Sequence, residues 1–181
     1  MRKTIVILLA VFLSGTVMAQ DNNYIRISGD VGFVTNTERD KKFGIGGTLG
    51  WLTVDNLISK NVNNYFALHV KGFNNPYGEG KLISSILNDK NDGFSYIMPL
   101  LGYRLTQRGM SDGFFIEPRI GMAFGASKYA AFAFAPHAGY TYGGFEFSLF
   151  CDMGFGWRNN AILTKNFFTP GVSIAYNITI Y

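Results

Sequence analysis

Along most of the chain, apolar and polar residues alternate at every second position. The longest such stretch is Phe132–Trp157, FAFAPHAGYTYGGFEFSLFCDMGFGW. Phe132, Phe134, Pro136, Ala138, Tyr140 and Tyr142 share one face, with Ala133, Ala135, His137, Gly139 and Thr141 on the other. After Gly143-Gly144 the alternation resumes. Phe145, Phe147, Leu149, Cys151, Met153, Phe155 and Trp157 are opposed by Glu146, Ser148, Phe150, Asp152, Gly154 and Gly156. A period of two over this length predicts strands, and two glycines between such runs predict a tight hairpin. Each run reaches the roughly 9–11 residues with which a tilted strand crosses a bilayer.

Six further runs carry the same pattern. Ile25, Ile27, Val31 and Phe33 oppose Arg26, Ser28, Asp30 and Gly32; Phe43, Ile45, Leu49 and Trp51 oppose Gly44, Gly46, Thr48 and Gly50. Phe66, Leu68 and Val70 oppose Ala67, His69 and Lys71. In FSYIMPLLGYRL, Ile97, Pro99, Leu101, Tyr103 and Leu105 oppose Tyr96, Met98, Leu100, Gly102 and Arg104. In FFIEPRIGMAF, Phe114, Ile116, Pro118, Ile120, Met122 and Phe124 oppose Glu117, Arg119 and Gly121. The last run sets Val172, Ile174, Tyr176, Ile178 and Ile180 against Ser173, Ala175, Asn177 and Thr179. Eight strands in one domain are expected. Asp55 is placed to cap a helical turn, and Leu82, Ile83, Ile86 and Leu87 have the spacing of a short amphipathic helix within the connection 74–92.

Alternation alone does not say which face is inside, since a soluble lipocalin-type barrel has the same period. Charge decides it. Eight charges fall within strands, all on the polar face: Arg26, Lys71, Arg104 and Arg119 against Asp30, Glu117, Glu146 and Asp152. The rest of that face is mostly Gly, Ala, Ser and Thr, which suits the narrow interior of an eight-stranded barrel. The opposite face carries no charge, and aromatic residues cluster toward both its ends, as in the girdles of membrane barrels. The expected fold is therefore all-β: an eight-stranded antiparallel up-and-down transmembrane β-barrel with its apolar side out. With both ends of the barrel in the periplasm, connections 35–42, 74–92, 125–131 and 158–167 face outward, and the short Gly143-Gly144 turn faces the periplasm.

Composition adds the compartment. Arg2 and Lys3 precede the apolar run Ile5–Val17, and Val17-Met18-Ala19 forms a small-residue cleavage site, so residues 1–19 read as a signal peptide and 20–181 as the barrel domain. That segment carries two of the sixteen basic residues and no acid, leaving the rest at +2. So weak a charge gives no support for nucleic-acid binding. Gly (22), Phe (17) and Tyr (10) are abundant, as in β-rich membrane proteins. The single Cys151 has no internal partner and sits on the apolar face as a small hydrophobe.

With these residues in view, the chain resembles the small eight-stranded outer-membrane barrels such as the OmpX and OmpA transmembrane domains. FSYIMPLLGYRL and FFIEPRIGMAFG look like the Bacteroidota outer-membrane β-barrel domain family that includes PorT-like proteins. Such barrels usually end on an aromatic residue in phase with the lipid-facing positions, whereas Tyr181 is out of phase with Ile178 and Ile180. The resemblance implies a Gram-negative outer membrane, contact with its lipids and lipopolysaccharide, and envelope or surface proteins met through loops 74–92 and 158–167.

The candidate site is the set of inward groups Arg26, Asp30, His69, Lys71, Arg104, Glu117, Arg119, His137, Glu146 and Asp152. The preferred reading is a salt-bridge network plugging the lumen, because lone buried charges are prohibitive. His137, Ser148 and Asp152 invite a triad, and outer-membrane acyltransferases or deacylases supply the enzymatic alternative. No nucleophile motif surrounds Ser148, and two histidines without a ligand cluster do not make a metal site. No catalytic residue, metal or cofactor is assigned. Pro99, Pro118, Pro136 and Pro170 stand at outward strand positions, where proline cannot donate to the ladder. The first three are candidates for a lateral gate to lipid. The function expected is a non-enzymatic barrel serving envelope integrity or loop-mediated interaction, with a secretion-accessory role of the PorT-like kind as a further alternative.

Overall fold

A computed structural model gives the fold. It describes residues 23–33, 35, 43–55, 64–75, 94–125, 129–156 and 166–180. Residues 1–19 read as a signal peptide, the segment 82–87 expected to form a helix, Trp157 and Tyr181 lie outside the described residues, as do most of the connections expected to face outward.

Ten strand segments carry the eight runs. They are β1 (Asn23–Gly32), β2 (Gly44–Val54), β3 (Asn64–Asn75), β4 (Phe94–Thr106), β5 (Asp112–Glu117), β6 (Arg119–Gly125), β7 (Tyr129–Phe134), β8 (His137–Tyr142), β9 (Phe145–Gly156) and β10 (Asn166–Ile180). The fifth and sixth runs are each divided, at Pro118 and at Ala135-Pro136, but register survives both breaks. β4 pairs with β5 and β6, and β9 pairs with β8 and β7. Every pairing is antiparallel between neighbours in the chain, and β10 closes on β1 from Asn23↔Ile180 to Gly32↔Gly171. Among the described residues every strand has a partner on both sides, so no sheet edge is left open there.

The ladder fixes the barrel's shape. The row leaving Ile25 passes Trp51, Leu68, Leu101, Ile120, Phe134, Met153 and Phe168. It re-enters the first strand at Thr35, whose N–H donates to the Phe168 carbonyl at 2.9 Å. The return is displaced by ten residues (Ile25 to Thr35), so eight runs carry a stagger of ten. Stagger of that size tilts strands by about 40° from the axis. The β8–β9 hairpin turns on Gly143 (φ 57°) and Gly144 (φ 84°), left-handed at both positions as a two-residue hairpin loop requires.

The two faces differ in kind. Outward positions along the strands hold Ile27, Leu49, Val70, Leu101, Ile116, Phe147, Leu149 and Ile174, each more than half exposed. Inward positions are buried, and their side chains fill the barrel in three layers. Phe73, Tyr96, Tyr129 and Phe167 occupy the end from which the long connections leave, with Phe73 stacked on Tyr96 (5.5 Å) and Tyr96 on Phe167 (4.8 Å). Leu52, Tyr65, Ala67 and Met110 close the end that holds the Gly143-Gly144 turn. Between these apolar caps lie the charges.

Glycine makes room for this filling. A Cβ on Gly46 would meet the Phe73 ring, one on Gly154 the Phe167 ring, and one on Gly171 the Phe150 ring. The inward glycines thus stand against large side chains, the small-against-large filling that small barrels use.

Candidate functional site

Period two carries the site inward from seven segments. β1 supplies Arg26 and Asp30, β3 His69 and Lys71, and β4 Arg104. Glu117 comes from β5, Arg119 from β6, His137 from β8, and Glu146 and Asp152 from β9. All ten side chains are buried, none more than 3% exposed.

Two acid centres organise them. Around the glutamates, Glu117 Oε1 accepts from Arg119 Nε at 2.7 Å and meets His69 Nε2 at 2.5 Å, while its Oε2 accepts from Arg104 Nε at 2.6 Å. Arg104 reaches on to Glu146 Oε2, with Nη1 at 3.0 Å and Nη2 at 2.9 Å, and so bridges the two glutamates. Glu146 Oε1 takes Arg26 Nε at 2.9 Å, and Asn177 Nδ2 adds a bond to Oε2 at 3.1 Å. A Cβ on Gly102 would stand 2.8 Å from Glu117 Oε1, so this position needs glycine for space.

Around the aspartates, Lys71 Nζ lies 2.8 Å from Asp152 Oδ2 and 3.5 Å from Asp30 Oδ2. Tyr96 donates its hydroxyl to Asp152 at 2.7 Å. Asp30 accepts from Ser173 at 2.5 Å, Thr48 at 2.8 Å and Ser28 at 3.0 Å. Lys71 also sits 3.4 Å from the centre of the Phe150 ring, a cation–π contact in a desolvated setting. Ser173 joins the two centres, since Arg26 Nη2 reaches its Oγ at 3.5 Å.

His137 belongs to the same network. Its Nε2 lies 3.2 Å from Arg119 Nη1 and its Nδ1 3.4 Å from the Ala135 carbonyl. A guanidinium has no acceptor, so Nε2 accepts and the proton rests on Nδ1. This occupies the nitrogen a triad would use. Asp152 meanwhile is held by Lys71 and Tyr96, and Ser148 Oγ has no hydrogen-bond partner among the described residues. His137, Ser148 and Asp152 therefore form no relay.

Two features were not read from the sequence. The first is the aromatic cap: Phe73 and Phe167 fall outside the eight runs read from the sequence, Phe167 within the connection 158–167, and Phe150 stands on a face otherwise mostly small and polar. Their signal was the glycine opposite each. The second is Asp55, read there as a helix cap. Its carboxylate is buried and accepts from the Tyr103 hydroxyl at 2.5 Å.

The prolines fall into a row, Pro99 excepted. Glu117 pairs with His137, and the Arg119 carbonyl accepts from Ala135 N–H, which sets Pro118 opposite Pro136. The Pro136 carbonyl accepts from Cys151, and Cys151 pairs with Pro170. The carbonyls of Pro118, Pro136 and Pro170 accept from the N–H groups of Tyr103, Cys151 and Phe33 at 3.1–3.2 Å. Antiparallel geometry would return a second bond in each pair, which a proline ring cannot supply. Three seams of the barrel thus run one bond short at one row. Pro99 lies four residues before Tyr103 on β4, where the ladder with β6 passes from Ile97↔Phe124 to Leu100↔Gly121.

With this geometry the chain matches the crystal structure of Ail, the attachment invasion locus protein of Yersinia pestis. The TM-score is 0.56 over 88% of this chain and all of that one, at 10% sequence identity. The fold is an eight-stranded barrel of the outer-membrane type. Identity this low carries the fold and nothing further. No family model and no curated protein sequence matches the chain.

Glu117 tests the network's energetics. Glu117→Gln leaves Arg104 and Arg119 buried without their shared counter-charge and is expected to destabilise the barrel by about 3–5 kcal/mol. Replacing the pair, Glu117→Leu with Arg119→Met, is expected to cost less than the two single changes together. Urea unfolding of the detergent-refolded variants measures both.

Proposed function

We propose that the chain is a non-enzymatic integral outer-membrane β-barrel protein of a Gram-negative bacterium. It is delivered by a signal peptide cleaved near Ala19 and serves envelope integrity or presents its outward loops to partners. The observation that carries this reading is the sorting of charge. All strands turn apolar side chains outward, while the eight strand charges outside the rims are buried and paired inside. A soluble protein that exposed Phe114, Leu149 and Tyr142 at 66%, 67% and 72% around its whole girth would aggregate. In a bilayer those same side chains meet hydrocarbon. The lumen, filled by Arg104, Arg119, Lys71 and the aromatic cap, works as a plug and not as a wide channel.

Outer-membrane lipids and lipopolysaccharide are then the barrel's permanent surroundings. Connections 74–92 and 158–167 are the segments offered to envelope or surface proteins, and a PorT-like accessory role would act through them. The proline row favours one second reading: the weakened seams give a lipid chain a lateral way in, as a lipid-modifying barrel would need. Restoring the N–H groups with Ala at Pro118, Pro136 and Pro170 together should then reduce labelling of the interior by a lipid-borne photoprobe. Unchanged labelling removes the lateral route.

For the membrane reading itself, Leu149→Arg places a cation on the outward face beside the hairpin's middle. In lipid vesicles it is expected to lower unfolding stability by about 2–4 kcal/mol. A change near zero would mean that this face meets water.

A further inference from the structure

The prolines are not spread evenly over the seams. β4 runs against β3 without a break, from Asn64↔Leu105 to Asn75↔Phe94, as β9 runs against β10 from Asn166↔Phe155 to Tyr176↔Phe145. Against β5 and β6, β4 is interrupted twice. Pairing passes from Ile97↔Phe124 to Leu100↔Gly121, and again from Gly102↔Arg119 to Leu105↔Ile116, in one constant register. That register sets Pro99 opposite Met122 and Pro118 opposite Tyr103.

The breaks come from missing donors. Bonding pairs of an antiparallel ladder recur at every second residue. Tyr103 N–H donates to the Pro118 carbonyl, so 103 and 118 form such a pair, and by that spacing so do 101 with 120 and 99 with 122. Pro118 returns nothing to the Tyr103 carbonyl, and Pro99 returns nothing to the Met122 carbonyl. Between the two prolines, Leu101 and Ile120 are left as the one bonding pair with both its bonds. The seams at Pro136 and Pro170 are one bond short; this one is two short.

Side chains offset the shortfall at the same place. Arg104 and Glu117 face each other in this register, next to Tyr103 and Pro118, and Arg104 Nε meets Glu117 Oε2 at 2.6 Å. Among the described residues it is the one interior ion pair that joins neighbouring strands. The others cross the lumen or stay within one run. Its partners can separate without either being stranded, since Arg119 stays on Glu117 and Glu146 stays on Arg104.

We propose that the seam between β4 and β5–β6 is where this barrel opens, and that the Arg104–Glu117 pair is the clasp that holds it shut. Backbone bonding is thinnest there, so local separation costs least there, and the ion pair sets how often it happens. Opening of this seam needs no lipid guest and holds for a barrel of any role.

Amide hydrogen exchange of the refolded full chain in lipid nanodiscs, read residue by residue by NMR, tests both parts. The amides of Leu101, Ile120 and Met122 are expected to exchange roughly tenfold faster than those of the unbroken β9–β10 ladder. Pro118→Ala gives the Tyr103 carbonyl its donor and is expected to slow exchange at this seam alone. Pro136→Ala, in another seam, is expected to leave it unchanged. Arg104→Met removes the clasp while Arg119 remains on Glu117 and Arg26 on Glu146. It is expected to fold and to speed exchange at this seam, and adding Pro118→Ala is expected to restore most of the protection. Equal exchange at the two seams, or an equal slowing by Pro118→Ala and Pro136→Ala, would overturn the choice of seam. An Arg104→Met chain that cannot fold, or that exchanges no faster here than elsewhere, would overturn the clasp.

Discussion

Eight ionised groups sealed inside a protein must find one another, and this structure depends on their doing so. A carboxylate or guanidinium buried alone is prohibitively costly, and removing one partner of a buried pair costs several kcal/mol. Arg104 meets the requirement by spanning both glutamates, and Lys71 by standing between both aspartates. Each cation therefore ties segments far apart in sequence. Arg26 on β1 is fixed to Glu146 on β9, across the seam that closes the barrel. Such a network specifies register as well as stability. A slip of one residue in any strand that carries one of these groups would turn its charge outward and leave a partner inside unpaired.

The stagger of ten and the filling of the interior are parts of one solution. A barrel of eight runs is just wide enough for side chains to fill, and here arginines, aromatic rings and glycines share that space by size. Gly102 leaves room for the Glu117 carboxylate, and Gly46, Gly154 and Gly171 for rings. The row of Pro118, Pro136 and Pro170 gives up one bond at each of three seams, yet the pairing register is the same on both sides of each break. Side-chain anchoring within the barrel maintains a register that the backbone alone holds less firmly there.

Much of this was legible in the sequence because period-two alternation is a local signal. The faces of Phe145–Trp157 can be read residue by residue, and the uniform phase of Arg26, Lys71, Arg104, Arg119 and their acids told the inside from the outside. Pairing partners were not legible. Nothing local says that Arg26 meets Glu146, 120 residues away, or that Arg119 and not Ser148 takes His137 Nε2. Those contacts follow from the stagger, which is a property of the closed barrel. The aromatic cap was missed for the converse reason. Phe73 and Phe167 break the small-and-polar pattern of their face, and their places are made by glycines on neighbouring strands.

The central claim is a closed barrel with its apolar side outward, and its most direct measurement is gel mobility of the protein from isolated outer membranes, with and without boiling. An interior held by paired charges, with no sheet edge exposed, should resist SDS in the cold. Unboiled protein should then migrate at a different position from boiled protein. Identical mobility, with the protein recovered in the soluble periplasm, would contradict the account and leave the aromatic outer face without a solvent to match it.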